Sequence, residues 1–160
     1  IRKYKAEQIT DAELNAVIEA GLYAPSAMGK QTAIIVAVQD ADTIAKLQKM
    51  NAAVTGRPDG TPFYGAPTVL IVLAENGGSA IQDGSLCMGN LLNAAHALGL
   101  GSCWINRAKE VFETEEGKAL LKEWGIEGDY IGIGNCILGY PDCDAPTPAD
   151  RKPNRVYYVK

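Results

Sequence analysis

The stretch Asp83-Gly-Ser-Leu-Cys-Met-Gly-Asn-Leu-Leu-Asn-Ala-Ala-His-Ala-Leu-Gly-Leu-Gly-Ser-Cys-Trp-Ile105 decides the fold. It reads as an apolar helix from about Ile81 to Leu98 that runs into a Gly-Leu-Gly-Ser turn ending on an aromatic residue. Small and apolar residues cover nearly its whole circumference, so the helix is expected to be buried on most sides. The two glycines of the turn let backbone amides approach something closely. Asp83, Asn90, Asn93 and His96 interrupt the run. No segment therefore reaches the roughly 18 apolar residues of a membrane span.

The flanking elements follow outward. Upstream, Thr10-Asp-Ala-Glu13 has the spacing of a capping box, and Leu14, Val17, Ile18 and Leu22 mark one face of a helix ending near Tyr23. Ala33–Val38 reads as a short strand, and Asp40 or Asp42 can cap a helix through Ile44, Leu47 and Met50. Residues 51–62 mix Gly, Pro, Asn and Asp and read as a loop. Thr68–Ala74 is a continuous apolar run, as expected of a strand covered on both faces. Downstream, Lys109–Trp124 is predicted helical, with Gly117 as its weak point, and Tyr130–Leu138 as a strand closed by Gly139-Tyr-Pro141. Pro141, Pro146, Pro148 and Pro153 make the next segment a loop, and Arg155–Lys160 alternates enough for an edge strand or for pairing with a second chain. The pattern is α+β: buried central strands flanked by helices in one domain, residues 1–160.

Composition narrows the function. Apolar residues at 47% and charged residues at 21% are ordinary for a globular protein, so a sizeable core is affordable to 160 residues. No signal peptide is read at the start, and a cytoplasmic location is the expectation. A net charge of −4 argues against nucleic acid as the main partner. The basic residues are unevenly placed: Arg2, Lys3 and Lys5 at one end and Arg151, Lys152, Arg155 and Lys160 at the other, with no acid in residues 1–5 or 151–160. Such ends are solvated tails, or they converge on one anion such as a phosphate. Cys87, Cys103, Cys136 and Cys143 show no zinc-ligand spacing. Three lie in apolar surroundings and read as reduced core residues, and Cys143 as the exposed one.

Catalytic groups are scarce. His96 is the single histidine and lies within the apolar helix, where it reads as a core or interface residue rather than a base. Neither GxGxxG nor a Walker A sequence is present. Glu110, Glu113, Glu115 and Glu116 read as a solvated helix face. A chain this poor in acid–base groups can be an enzyme if a cofactor carries the chemistry. A flavin fits: it needs close backbone approach, as Pro25-Ser26-Ala27 offers, an amide such as Gln31, and basic residues for its phosphate.

Six segments occur in an order that resembles the nitroreductase family: Ile1-Arg-Lys-Tyr4, Ala24-Pro-Ser-Ala-Met-Gly-Lys-Gln31, Tyr64-Gly-Ala-Pro67, Ala94–Ile105, Leu138-Gly-Tyr-Pro141 and Arg151-Lys152-Pro153. The resemblance covers essentially the whole chain, with Gly29 in place of the usual Asn and Thr32-Ala33 in place of Pro-Trp. It implies a nitroreductase-like mixed or antiparallel sheet flanked by helices, in an intertwined homodimer with FMN at the subunit interface. It further implies that Arg2 and Arg151, assisted by Lys152, hold the FMN phosphate. Pro25, Ser26 and Ala27 would approach the ring from the partner chain, Gln31 would reach the ribityl or ring region, and Asn51 the ring's polar edge. Ile105 and Asn106 would lie near N5 and one ring face. The implied activity is ping-pong hydride transfer from NAD(P)H to an electrophilic acceptor such as a nitroaromatic or quinone. A non-redox flavin-binding or flavin-processing protein, and a dimeric domain that has lost its cofactor, are the alternatives.

Overall fold

A computed structural model describes residues 1–160. The elements in order are α1 (Asp11–Leu22), β1 (Ala33–Val38), α2 (Ala41–Val54), β2 (Thr68–Glu75), α3 (Ala80–Ala97), β3 (Gly101–Ile105), α4 (Ala108–Glu113), α5 (Glu115–Glu123) and β4 (Tyr130–Gly139). The strands form one sheet in the order β1-β2-β4-β3, and every pairing is antiparallel. The apolar run of β2 is buried from Thr68 to Ala74 and meets solvent only at Glu75. Its alternate side chains enter two different cores. Val69, Ile71 and Leu73 pack with Leu47, Phe63, Val111, Phe112 and Leu120, beneath α2, α4 and α5. Leu70, Val72 and Ala74 pack with Val17, Cys87, Met88, Leu91 and Ala95, beneath α1 and α3. The molecule is thus a sheet between two helical layers, and each such large apolar side chain contributes roughly 1.5–3 kcal/mol of burial.

The helix ends are set by local chemistry. Thr10 Oγ1 accepts from the Glu13 N–H (3.2 Å), and the Thr10 N–H donates to Glu13 Oε2 (2.9 Å), which completes the capping box. Asp40, not Asp42, caps α2 through the Thr43 N–H (2.8 Å). Three helices stop in the same way, on a left-handed glycine that forms a paired hydrogen-bond closure. For α3, Gly99 has φ +73°; its N–H donates to His96 O and the Leu100 N–H donates to Ala95 O. The turn read as a site of close backbone approach is this cap, and Gly101 beyond it packs against the side chain of Ile1. The N-terminal segment is held there by the Ile1 nitrogen, which donates to Ser102 O (3.1 Å), by Tyr4 Oη on Ile1 O (2.8 Å) and by the Lys3–Asp142 ion pair (2.8 Å).

Five expectations need correction. Asn51–Val54 belongs to α2 rather than to a loop, because Asn51 is a buried member of that helix's inner face. Gly101–Ile105 is a strand paired along Asn135–Gly139 of β4, a long-range pairing with no local signature. The helix read over 109–124 is two helices, divided at Thr114. Its hydroxyl donates to Val111 O (2.7 Å) and accepts from the Gly117 N–H (3.0 Å), so one residue ends α4 and caps α5. Residues 155–160 form no strand in the chain, and Val156, Tyr157, Tyr158 and Val159 are exposed. Finally, His96 is exposed in the single chain, which removes the core reading and leaves the interface one; α3 is buried on most sides, as expected, and open at Ile81, Leu86 and Leu98. The cysteines match their reading: Cys87 and Cys136 are buried, Cys103 is half-buried, Cys143 is exposed, and all four are free. Burial pushes the thiols of Cys87 and Cys136 up, to about 11 and about 12.

Strand β4 carries a bulge: Val72 pairs with Gly134 and Leu73 with Gly132, leaving Ile133 without a partner across the ladder. A Cβ on Gly132 would run into the Ala108 carbonyl, so α4 sits directly on this strand. Gly132→Ala is expected to destabilise the fold by about 1–3 kcal/mol, read as a lower urea midpoint. Glu13 titrates below the ordinary carboxylate range because Tyr140 Oη and the Thr10 hydroxyl and N–H donate to it. A depressed folded-state pKa gives stability that is present above the unfolded value and lost as pH falls through the folded one. Glu13→Gln should therefore shrink the difference in thermal midpoint between about pH 7 and about pH 3.

Candidate functional site

Pro25, Ser26, Ala27 and Gln31 form one rigid turn between α1 and β1. Ser26 Oγ accepts from the Gln31 N–H (2.8 Å), which closes the turn on itself. Asp83, at the start of α3, ties it to the body: Oδ1 accepts from the Ala27 N–H (2.9 Å) and Oδ2 from Thr32 Oγ1 (3.0 Å). Three residues here are left-handed: Met28 (φ 56°), Gly29 (φ 65°) and Gln31 (φ 52°). For the non-glycine residues Met28 and Gln31 this conformation carries strain that the closed turn holds in place. At Gly29 this explains the departure from Asn, since Gly and Asn are the residues that adopt this region most readily. Pro25, Ser26 and Gln31 line a cavity of about 140 Å³ together with Gly21, Asp83 and Cys87. Asp83 is only 5% exposed and was missed as part of the site; its signal was an acid inside an otherwise apolar helix.

Asn51, Ile105 and Asn106 form a second group. Asn51 is 2% exposed, and its Nδ2 donates to Asn106 O (2.8 Å). The buried Asn135 donates from Nδ2 to Ile105 O (3.4 Å). Two amide side chains thereby hold the chain where it leaves β3. The N–H groups of Asn106 and Arg107 have no partner in the chain. Arg107 follows with φ 80°, and its guanidinium turns to Glu110 (2.6 Å). The hydrogen bond from that guanidinium holds the Glu110 carboxyl below its usual range. Asn135 and Arg107 were not foreseen, because their partners lie far off in sequence or depend on a backbone angle.

The cationic candidates are exposed. Arg2 lies over the Tyr64 ring at 6.0 Å, a cation–π distance. Arg151 donates to Ala149 O (2.6 Å) within its own segment, and Lys152 adjoins it. Arg2, Arg151 and Lys152 make no ion pair with any carboxylate. The N-terminal segment meets the residues just after β4 at Lys3 and Asp142, but no hydrogen bond joins Arg2 to Arg151 or Lys152.

The groups are also separated by the sheet. The Pro25–Gln31 turn leads into β1, and the Ile105–Asn106 junction leaves β3. These are the two edge strands of the sheet. Three inter-strand spacings put the edges about 14 Å apart. Removing Asp83 tests the first group: Asp83→Ala should cost about 1.5–3 kcal/mol for each charge-assisted hydrogen bond lost, before any relaxation. It should also raise amide exchange at Ala27 and proteolytic cleavage within residues 24–32 while leaving β2 protected.

Residues 1–140 match the family model described as the Nitroreductase family. A protein of Archaeoglobus fulgidus, provisionally named NADH dehydrogenase/NAD(P)H nitroreductase, is 32% identical over 170 residues, spanning 100% of this chain and 92% of that protein. The crystal structure of a nitroreductase with bound FMN from Bacteroides fragilis superposes with a TM-score of 0.90 at 29% identity, covering 100% of this chain and 93% of that one. An FMN-dependent nitroreductase from Clostridium difficile gives a TM-score of 0.86 at 27% identity over 99% of this chain and 93% of its own. With the antiparallel sheet, the two helical layers and the motif order in agreement, the chain belongs to the nitroreductase family.

Proposed function

We propose that the protein is an FMN-dependent oxidoreductase that passes a hydride from NAD(P)H to an electrophilic acceptor such as a nitroaromatic or quinone. The observation that carries this reading is the junction at Asn51 and Asn106. It offers two consecutive unpartnered N–H donors beside a buried amide whose Oδ1 makes no bond in the chain. Flavin presents the complement, a polar edge of acceptors with one N–H donor. The donor set around it has no acid–base group, which suits a cofactor whose own atoms react. FMN when bound supplies a site that takes up and gives back a hydride.

The chain's residues bind and orient. Arg2, Arg151 and Lys152 would hold the phosphate, for which three cations without carboxylate partners are suited. Asn51 would meet the ring's polar edge, with Ile105 and Asn106 at the reacting end. Pro25, Ser26 and Ala27 would press on the ring with Gln31 beside them, from a second copy of the chain. A homodimer is supported by the separation of the two groups at opposite sheet edges. Exposed Ile81, Leu86 and Leu98 on α3, and Val156–Val159 in the tail, support it further.

The test is an absorbance spectrum of the purified protein before and after anaerobic NADH or NADPH. A flavin spectrum that bleaches is the expected result; flavin that stays oxidised with both donors points to a non-redox binding or processing role. Arg2→Ala and Arg151→Ala should each lower FMN affinity by about 1.5–3 kcal/mol, roughly ten- to hundredfold in Kd by fluorescence titration. Unchanged affinity in both variants would sink the phosphate clamp.

A further inference from the structure

A second basic site lies beside the Asn51–Asn106 junction. A cavity of about 430 Å³ is lined by Ala52, Thr55, Arg57, Thr61, Tyr64 and Arg107, among others. No acidic residue lines it, and Glu110 touches it only through Arg107. Arg57 makes neither an ion pair nor a side-chain hydrogen bond, so its guanidinium is uncommitted. Its backbone is fixed all the same. The α2 helix ends on left-handed Gly56 (φ 70°), with the Gly56 N–H on Ala53 O (3.0 Å) and the Arg57 N–H on Ala52 O (3.2 Å). The Gly60 N–H then donates to Arg57 O (2.8 Å) and closes a second turn. One rigid helix end therefore presents both Asn51 and Arg57, six positions apart.

We propose that Arg57 and Arg107 bind the phosphate groups of the nicotinamide dinucleotide donor, an inference that rests on the oxidoreductase reading above. An uncommitted guanidinium at Arg57, with a second at Arg107 that keeps donors beyond the one given to Glu110, suits a polyanion, because planar forks bind phosphate oxygens in pairs. Neutral nitroaromatics and quinones carry no formal charge for two guanidiniums to neutralise, whereas a dinucleotide carries a pyrophosphate and, in NADPH, a 2′-phosphate as well. In a chain of net charge −4, a local basic cavity is also what draws a polyanion to the surface. The cavity borders the flavin's proposed phosphate clamp at Tyr64, whose ring Arg2 covers, and extends from there to Arg57. Arg107 directly follows Asn106, at the end proposed for the reacting atoms, so what enters there is what arrives to react.

The experiment uses protein saturated with FMN, so that the flavin phosphate site is filled. Calorimetric titration with ADP and with adenosine 2′,5′-diphosphate reads phosphate binding without turnover. At least one nucleotide should bind, Arg57→Ala should weaken it about tenfold or more, and Arg57→Lys should recover part of the loss. Sensitivity with ADP assigns the pyrophosphate, and sensitivity confined to the 2′,5′-diphosphate assigns the 2′-phosphate. In turnover, the ratio of kcat/KM for the dinucleotide to kcat/KM for 1-benzyl-1,4-dihydronicotinamide, which has no phosphate, should fall similarly through KM. Failure of both nucleotides to bind overturns the proposal. So does equal affinity in Arg57→Ala, or a variant whose loss is in FMN affinity instead. If nucleotide binding depends on Arg57 while no donor reduces the flavin, the phosphate site stands and the oxidoreductase reading falls.

Discussion

Val69, Ile71 and Leu73 face one apolar layer while Leu70, Val72 and Ala74 face the other, so the strand that carries them has no side left for water. A strand in that position must have partners on both edges, because each unpaired buried backbone group costs about as much as a lost hydrogen bond. Strands β1 and β4 supply them. Each face must also be covered, which recruits α1 and α3 on one side and α2, α4 and α5 on the other. The close seats of the helices follow from this demand: Gly132 admits the backbone of Ala108, and Gly84 admits Ile133. The bulge that leaves Ile133 unpaired turns its side chain onto α3 rather than wasting it at the rim.

The same arrangement dictates where chemistry is possible. With the interior filled on both faces, polar function is confined to the places where strands stop. The two groups of candidate residues stand at such places, off the first residue of β1 and the last of β3. Each is stiffened by a buried polar side chain reaching from another element, Asp83 from α3 and Asn51 from α2. Neither Asp83 nor Asn51 is itself a reactive group in this arrangement. Each fixes backbone: Asp83 the Ala27 N–H, and Asn51 the Asn106 carbonyl.

Local chemistry made part of this readable from sequence. Thr10 with Glu13, a cap at Asp40 (one of the two acids that could supply it), and the run Thr68–Ala74 all act through neighbours or simple periodicity, and they lie where expected. Other features were hidden because their cause is distant. Gly101–Ile105 is a strand only by virtue of residues 135–139. Gly117 drew attention as a helix breaker, yet the break is at Thr114, and Gly117 is a glycine because the Val111 carbonyl occupies the space a side chain would need. The Arg107 backbone angle and the exposure of His96 have no sequence signature at all. For the candidate site, Pro25–Gln31 and Ile105–Asn106 were placed by family resemblance. What the structure adds is the pair of anchors that hold them.

The strand order β1-β2-β4-β3 also sets how the chain must find its fold. Joining β1 to β2 closes residues 39–67 into a loop, and joining β2 to β4 closes residues 76–129. Lengthening a flexible loop is cheap, about 0.6 kcal/mol for each doubling. The greater burden is that no strand pair is local, so little is gained until a distant segment arrives, and folding is slow compared with a helical bundle of this size. Until β4 docks, β2 exposes an unpaired, wholly apolar edge. The newly made chain is therefore open to association through that edge, and the arrival of β4 closes it.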